Sequence, residues 1–472
     1  MTGESRSVNS ESFQPSPFIV YPSLFTFGQS KSSNQKMRDD TYWDSPIETL
    51  TRDGIEKLQT GLLKSILERA ARSRFYSEKF RKIGFDPGSV SSVEDAGRIP
   101  FTEKKDLRES YPYGFLCEPK ERLLRMHISS GTTGQAVAVF YTKADLEVWA
   151  DLLARCMYMA GARPGDTFQN LSGYGLFTGG LGFQYGAERL GMLTIPSGAG
   201  NSKRQIQIMR DFSTSVIHVI PSFLLLLMDV IKEMKVDPQK ELSLRIAFVG
   251  AEPYSEEVRR RIEDFYGVKV YNSYGLSEMN GPGVAFECAC QSGLHVWEDA
   301  YLVEIIEPDT LEPVPDGQYG ELVMTTLKRE AMPILRYRTR DLTRILPGEC
   351  GCGRAHKRID RIQGRTDDMF IIKGVNVFPM QVEQVLMNIP EVGNNYVIVL
   401  NRENNVDDMM VRVEVTDRVF VEDMRKLESI RKRIAHDLKG ELLVTPKVEL
   451  VEPNSLPRSE GKATRLIDRR VV

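Results

Sequence analysis

Ile55, Leu58, Leu62, Ile66 and Ala70 recur at three- and four-residue steps, the spacing that lays one apolar stripe along a helix. Trp149, Leu152, Leu153 and Cys156 repeat that spacing farther along. Between about 165 and 275 short apolar runs alternate with helical patterns. Residues 215–220 (SVIHVI), 245–249 (RIAFV) and 268–271 (VKVY) predict buried strands, and 256–265 predicts a helix between two of them. Such alternation predicts βα units on a largely parallel sheet. Residues 301–306 (YLVEII) and 320–326 (GELVMTT), joined by a stretch rich in Pro, Gly and Asp, predict an antiparallel, partly exposed β element.

The pattern restarts after residue 366. It predicts a helix at 379–388, strands near 396–400 and 410–415, a charged amphipathic helix at 421–440 and a strand near 447–452. The expected fold class is therefore α/β. A large N-terminal domain (46–366) of βα sheets with a β element would precede a small α+β C-terminal domain (367–472), joined at the polar link Gly364-Arg365-Thr366-Asp367. Residues 1–45 are rich in Ser, Asn, Gln and Pro without a sustained period, which predicts a loose or lightly docked extension.

Composition narrows the class. The 472 residues are 41% hydrophobic and 27% charged, an ordinary globular balance. The 62 basic and 65 acidic residues nearly cancel, so no bulk field favours nucleic acid or an anionic membrane as partner. The longest strongly apolar run, Phe223 to Met228, is far short of the ~20 residues that span a bilayer, and it reads as core. The first residues lack a basic-then-apolar leader pattern, and the expected location is the cytoplasm. Six cysteines are too sparse for a disulfide scaffold, but four lie in close pairs, Cys288/Cys290 and Cys350/Cys352.

Candidate chemistry begins at Ser129-Ser130-Gly131-Thr132-Thr133-Gly134. Glycines admit backbone amides close to an anion and hydroxyls add donors, yet no Gly-Lys-Ser/Thr closes a Walker loop. On its own such a cluster is more often a plain loop, so its meaning depends on company. Gly250-Ala251-Glu252-Pro253 follows one expected strand, and Tyr274-Gly275-Leu276-Ser277-Glu278 follows another. Ligands gather at the carboxyl ends of parallel strands, and a glutamate there suits the Mg²⁺ of a nucleotide. Asp341, in YRTRD, offers a carboxylate for ribose hydroxyls. Lys462, in LPRSEGK, could neutralise charge developing at phosphorus. The plain readings are a helix cap for Glu278, a surface ion pair for Asp341 and a solvated charge for Lys462.

In this order SSGTTG, GAEP, YGLSE, YRTRD, GRTDD and LPRSEGK resemble the adenylate-forming enzymes. Residues 173–180 (GYGLFTGG) and 374–379 (GVNVFP) resemble the phenylacetate–CoA ligase branch, and the resemblance covers about residues 50–472. It implies an acid–CoA ligase that uses ATP, Mg²⁺ and CoA. An aromatic carboxylate would be activated as acyl-AMP with release of pyrophosphate, then transferred to CoA with release of AMP. It implies that residues 129–134 hold the triphosphate, Glu278 binds Mg²⁺, Asp341 and Arg365 bind ribose and Lys462 assists adenylation. Gly250, Ala251, Glu252, Pro253, Asn272, Ser273, Tyr274, Gly275 and Ser277 would complete the nucleotide site. Asp367 would be the hinge of a mobile C-terminal domain. Ser172, Tyr174, Phe177, Gly180, Phe223, Gly250, Tyr274 and Gly275 would line the acyl pocket. Relatives of this kind are often dimers.

Departures from the family pattern carry information. Gln135 stands where a lysine is usual, which predicts weaker ATP affinity. Ser172 stands where a tyrosine is frequent, and Phe223 where Tyr is common. The smaller, more apolar wall predicts a flat acid larger than phenylacetate, of 2-naphthoate or indoleacetate type, against the plainer alternative of local repacking. Cys288, His295, Cys350 and Cys352 would satisfy a tetrahedral, structural Zn²⁺, with Cys290 and His356 as rival ligands. His218 reads as core or pocket wall, His127 as packing beside the phosphate loop and His436 as solvated. Two other readings are an adenylyl transferase with a non-CoA acceptor and a nucleotide-binding regulator without catalysis.

Overall fold

The computed structural model describes residues 41–129, 136–176, 178–373, 375–403, 406–416, 419, 424–457 and 465–470. Helix α1 (Arg52–Ala70) starts where the Thr51 side chain accepts from Gly54 N, and its apolar stripe buries Ile55, Leu63, Ile66 and Ala70. Helix α2 (Lys143–Met159) begins with a reciprocal Thr142/Asp145 cap and is buried along most of its second half. Then follow β1 (Thr167–Asn170), α3 (Gly179–Leu190), β2 (Leu193–Ile195), β3 (Val216–Val219), α4 (Pro221–Glu233), β4 (Ile246–Gly250), α5 (Glu256–Tyr266) and β5 (Lys269–Leu276). This is the expected alternation.

Strands β6 (Gly281–Glu287), β7 (Leu294–Val296), β8 (Tyr301–Ile306), β9 (Gly320–Thr326), β10 (Tyr337–Thr343), β11 (Ile345–Leu346), β12 (Arg358–Ile359) and β13 (Gly364–Arg365) come next. The nine-stranded main sheet has the order β11-β12-β7-β6-β5-β4-β3-β1-β2. Its β5-β4-β3-β1-β2 half is parallel, whereas β5 through β11 pair antiparallel. The parallel sheet expected over residues 165–275 is therefore present, and it continues beyond them with antiparallel strands that make the whole sheet mixed. After β5 the chain turns back at once, and short connections permit only antiparallel pairing. A second sheet, β8-β9-β10-β13, is antiparallel throughout. Every residue of β9 is buried, and the partial exposure expected of this element is confined to Leu302 and Glu304 on β8.

Helix α6 (Pro379–Met387), β14 (Val392–Glu403), β15 (Val406–Val415), α7 (Met424–Leu442), β16 (Lys447–Val451) and β17 (Leu466–Asp468) form the C-terminal part, with sheet order β16-β15-β14-β17. One hydrophobic core lies around α2 and the antiparallel strands. The other runs from α4 and β4 into α6, β14, β15 and α7, so the C-terminal elements share a core with the parallel half of the main sheet. Trp43 donates from Nε1 to Asp151 and Tyr42 donates to Cys352 O, so the described end of the expected extension is docked at these two residues. No helix among the described residues is long and apolar enough to cross a membrane.

Candidate active site and a cysteine–histidine cluster

Strands β4 and β5 are parallel neighbours in register, with Gly250 opposite Ser273. A Cβ on Gly250 would lie 2.2 Å from the Ser273 carbonyl oxygen, so only glycine fits where the two backbones close on each other. Ala251 then turns at φ +68°, and Glu252 accepts from Ser222 Oγ at 3.0 Å and from Ser222 N at 3.2 Å, tying the GAEP segment to the start of α4. The segment Tyr274-Gly275-Leu276 does not follow β5, as expected, but forms its last residues. Gly275 packs against β6, where a Cβ would meet the Gly281 carbonyl oxygen at 2.0 Å.

Tyr337, Thr339 and Asp341 are all buried on β10, whose register against β9 slips between Arg338 and Leu342, with Arg340 at φ +69°. Tyr274 Oη donates to Asp341 Oδ2 at 2.5 Å, and Arg365 Nη1 donates to Asp341 Oδ1 at 3.0 Å. Arg365 Nε also holds Asp367 at 2.8 Å. Burial pushes the Asp341 carboxyl above its ordinary range, against the opposing pull of Arg365 and Tyr274. Glu278, in a 3₁₀ turn directly after β5, is buried and accepts from Tyr337 Oη at 3.2 Å. Lys104 Nζ stands 3.9 Å from the same carboxylate. Burial first, and then the facing carboxylates, raise both Tyr274 and Tyr337 well above the phenol value, so each remains a proton donor.

Ser129 N donates to Val137 O at 2.9 Å and Val137 N to Ser129 Oγ at 3.1 Å, which closes the base of the Gly/Thr loop. Ser130, Gly131, Thr132, Thr133, Gly134 and Gln135 lie outside the described residues, as do Phe177 and Lys462. Asn272 N donates to Glu287 Oε2, while Ser273 is buried and Ser277 half-buried beside Glu278.

The acyl-pocket candidates divide. Ser172 Oγ lies 3.0 Å from His218 Nδ1, which is also 3.1 Å from Asn170 Oδ1. Asn170 Nδ2 donates to Tyr174 Oη at 3.0 Å and to Gly180 O at 2.6 Å. This fixes Oδ1 as the amide atom facing His218, so Nδ1 carries the imidazole proton. The His218 ring stacks on Phe183 at 3.6 Å, and burial lowers its pKa to about 3, so it is neutral. Phe223 instead lies wholly inside the core. Sequence reasoning missed Asn170 and Tyr337. Tyr337 lies in the same YRTRD motif as Asp341, which was its signal; Asn170 gave no local signal.

Away from this site, Cys288, His295, Cys350 and Cys352 bring their ligand atoms within 4.8 Å of one another. Cys288 Sγ and Cys350 Sγ are 3.6 Å apart, and Cys352 Sγ is 3.3 Å from His295 Nε2. A tetrahedral Zn²⁺ with its usual ~2.3 Å sulfur and ~2.0 Å nitrogen bonds requires edges of roughly 3.5–3.8 Å, close to these two separations, and the Cys3His donors suit it chemically. His295 Nδ1 faces the His356 carbonyl at 3.3 Å, which leaves Nε2 as the ligand atom. The rivals stand outside: Cys290 is exposed, and His356 Nδ1 accepts from Glu298 N at 3.2 Å. His127 is buried beside Leu176 O and His436 is exposed.

Residues 87–327 match the AMP-binding enzyme family and residues 374–470 the AMP-binding enzyme C-terminal domain. The chain is 46% identical to phenylacetate-coenzyme A ligase of Thermus thermophilus, over 90% of this chain and 98% of that one. It is 43% identical to phenylacetate-coenzyme A ligase of Pseudomonas putida, over 90% and 97%. A solved 2-hydroxyisobutyryl-CoA ligase in its postadenylation state superposes with a TM-score of 0.88 at 33% identity, covering 93% and 94% of the two chains. The same ligase in its thioesterification state, at the same identity and coverage, gives 0.69. With sequence and coverage held constant, that difference reports the arrangement of the parts, and this chain is arranged like the postadenylation state.

Proposed function

The chain belongs to the AMP-binding enzyme family, and on that premise we propose that it is an ATP-dependent, AMP-forming aryl-acid–CoA ligase. The observation that carries this reading is the convergence of Glu278, Tyr337, Tyr274, Asp341 and Arg365 where β5, β10 and β13 meet. A buried carboxylate held by an arginine and a phenol is built to accept hydrogen bonds from a ribose diol. A second buried carboxylate beside it suits the Mg²⁺ that accompanies ATP.

The substrate carboxylate oxygen would attack the α-phosphorus of ATP, and the bond to pyrophosphate would break. The sulfur of CoA would then attack the acyl carbon, and AMP would leave with the carboxylate oxygen. The chain's own groups would act mainly by placement and charge: residues 129–134 on the triphosphate, Glu278 on Mg²⁺, Asp341 and Arg365 on ribose, and Lys462 on the charge developing at phosphorus. Residues 46–366 would carry the site, and residues 367–472 would swing about Asp367 between the two steps. The smaller side chain at Ser172 favours a bicyclic aryl acid such as 2-naphthoate or indoleacetate. Cys288, His295, Cys350 and Cys352 would hold a structural Zn²⁺. The enzyme would work in the cytoplasm as a homodimer, without nucleic-acid or membrane partners.

The test is AMP release from ATP across a panel of aromatic acids, with and without CoA. AMP formation dependent on both acid and CoA is the expected result. Pyrophosphate release without CoA-dependent AMP release would favour an adenylyl transferase with another acceptor. No release with any acid would refute the ligase reading.

A further inference from the structure

Helix α5 grips the C-terminal part of the chain from its start and from its middle. At its start, Ser255 caps the helix with its hydroxyl, while its backbone N–H donates to Glu383 Oε1 on α6 at 3.0 Å. Glu383 is buried, and its other oxygen accepts from Tyr396 Oη at 3.2 Å. Farther along α5, Arg261 donates to Met387 O at 3.1 Å, Gly393 O at 3.1 Å, Val392 O at 3.4 Å and Asn394 Oδ1 at 3.0 Å. A guanidinium that closes the end of α6 and the entry to β14 together sits where a helix C-terminus favours a cation. Asn394 also donates to Asp229 Oδ1 on α4 at 3.1 Å.

The contacts continue toward the segment that carries Lys462. The register of β14 slips between Val392 and Tyr396, and such a bulge re-aims side chains out of the sheet's alternation. Asn394 faces the N-terminal part while its neighbour Asn395 faces Pro457 and Arg465. Asn395 Nδ2 donates to Pro457 O at 3.3 Å, and Asn395 Oδ1 accepts from Arg465 Nη1 at 2.7 Å. Arg465 also donates to Tyr396 O at 3.2 Å and lies over the Tyr396 ring. The bulge is thus bracketed by α5 on one side and by the two residues that flank 458–464 on the other. Those seven residues lie outside the described ones.

We propose that Arg261 and Glu383 are positioning residues for adenylate formation, fixing the C-terminal domain against the ATP-binding part through the bulge at residues 393–395. The inference rests on the ligase reading above. In it, α5 selects the postadenylation-like arrangement by contacts that must part when the domain turns for thioester formation. Their loss therefore bears on the first half-reaction and leaves the second intact. Burial also places the Glu383 carboxyl above its ordinary range, as fits a group that closes a desolvated joint.

The two half-reactions are measured separately on the full-length protein. Pyrophosphate release without CoA reports adenylation, and thioester formation from a synthetic aryl-adenylate plus CoA reports the second step. Arg261→Ala and Glu383→Ala are expected to slow adenylation by roughly 10- to 100-fold, through the loss of hydrogen bonds made by a charged group across the joint, with thioester formation within twofold of wild type. Arg261→Lys is expected to recover part of the loss. Asn394→Ala, which removes contacts to Arg261 and Asp229 without emptying a core site, keeps the test valid if a harsher variant misfolds; it is expected to lower adenylation alone. Equal loss in both half-reactions, or adenylation unchanged in all variants, would overturn the proposal while the active wild type upholds the ligase reading. An inactive wild type would overturn the ligase reading itself.

Discussion

Asp341 and Arg365 are opposite each other in the antiparallel register of β10 and β13, and the guanidinium reaches the carboxylate at 3.0 Å. Backbone pairing thus sets a side-chain pair that must be present before any ligand arrives. Tyr274, from the other sheet, supplies the third member. Removing the charge while keeping the shape, as in Asp341→Asn, is expected to raise KM for ATP by roughly 10- to 100-fold, with a smaller change in kcat. Steady-state kinetics with ATP varied at saturating acid and CoA reads this. An unchanged KM would remove Asp341 from the ribose site.

Glu278 is oriented by Tyr337, which cannot readily ionise where it is buried. Glu278→Gln is expected to raise the Mg²⁺ concentration for half-maximal pyrophosphate release by about tenfold or more. Tyr337→Phe is expected to shift it less, because it removes the orienting bond and keeps the ligand. A Mg²⁺ titration identical to wild type in Glu278→Gln would end that assignment.

Ser172 meets a neutral His218 across 3.0 Å. Restoring the bulk usual in the family by Ser172→Tyr is expected to lower turnover of 2-naphthoate relative to phenylacetate by about tenfold or more, read as the ratio of kcat/KM values. A wild-type enzyme that strongly prefers phenylacetate would exclude the larger acid.

The cysteine–histidine cluster sits beside the docked N-terminal residues: Arg354, two positions after Cys352, donates to Glu48 Oε2 at 2.5 Å and to Thr41 O at 2.8 Å. Elemental analysis of tag-free protein is expected to find about one zinc per chain. Cys350→Ser is expected to lose the metal and lower Tm, whereas Cys290→Ser is expected to retain it. A wild-type stoichiometry near zero would count against the site.

Burial holds the pKa of His218 at about 3, below the ordinary 6.5. Between those values the unfolded chain binds a proton that the folded chain refuses. The contribution of His218 to stability is therefore complete above 6.5, falls as pH drops below it at up to ~1.4 kcal/mol per unit, and levels off near 3. Denaturant unfolding of wild type and His218→Gln between pH 7.5 and 5 checks this. The variant is expected to lose less stability over that range, and parallel curves would contradict the assignment.

By itself the sequence determined the elements and most of the chemistry. Three- and four-residue spacing marked α1, alternating blocks marked β3, α5 and their neighbours, and the ordered motifs singled out Glu278, Asp341 and Arg365 as one candidate set. These signals are local, because periodicity and short motifs are properties of neighbouring residues. Tertiary structure decided what depends on long-range register. It made half of the main sheet antiparallel and buried β9. It chose Cys288, His295, Cys350 and Cys352 over Cys290 and His356, since residues 62 positions apart meet only through strand pairing. It also set Arg261 and Glu383 across the joint between the two parts of the chain. On a helix in sequence they are ordinary surface charges, and only the packed partner gives them acceptors, donors and a low-dielectric setting in which to act.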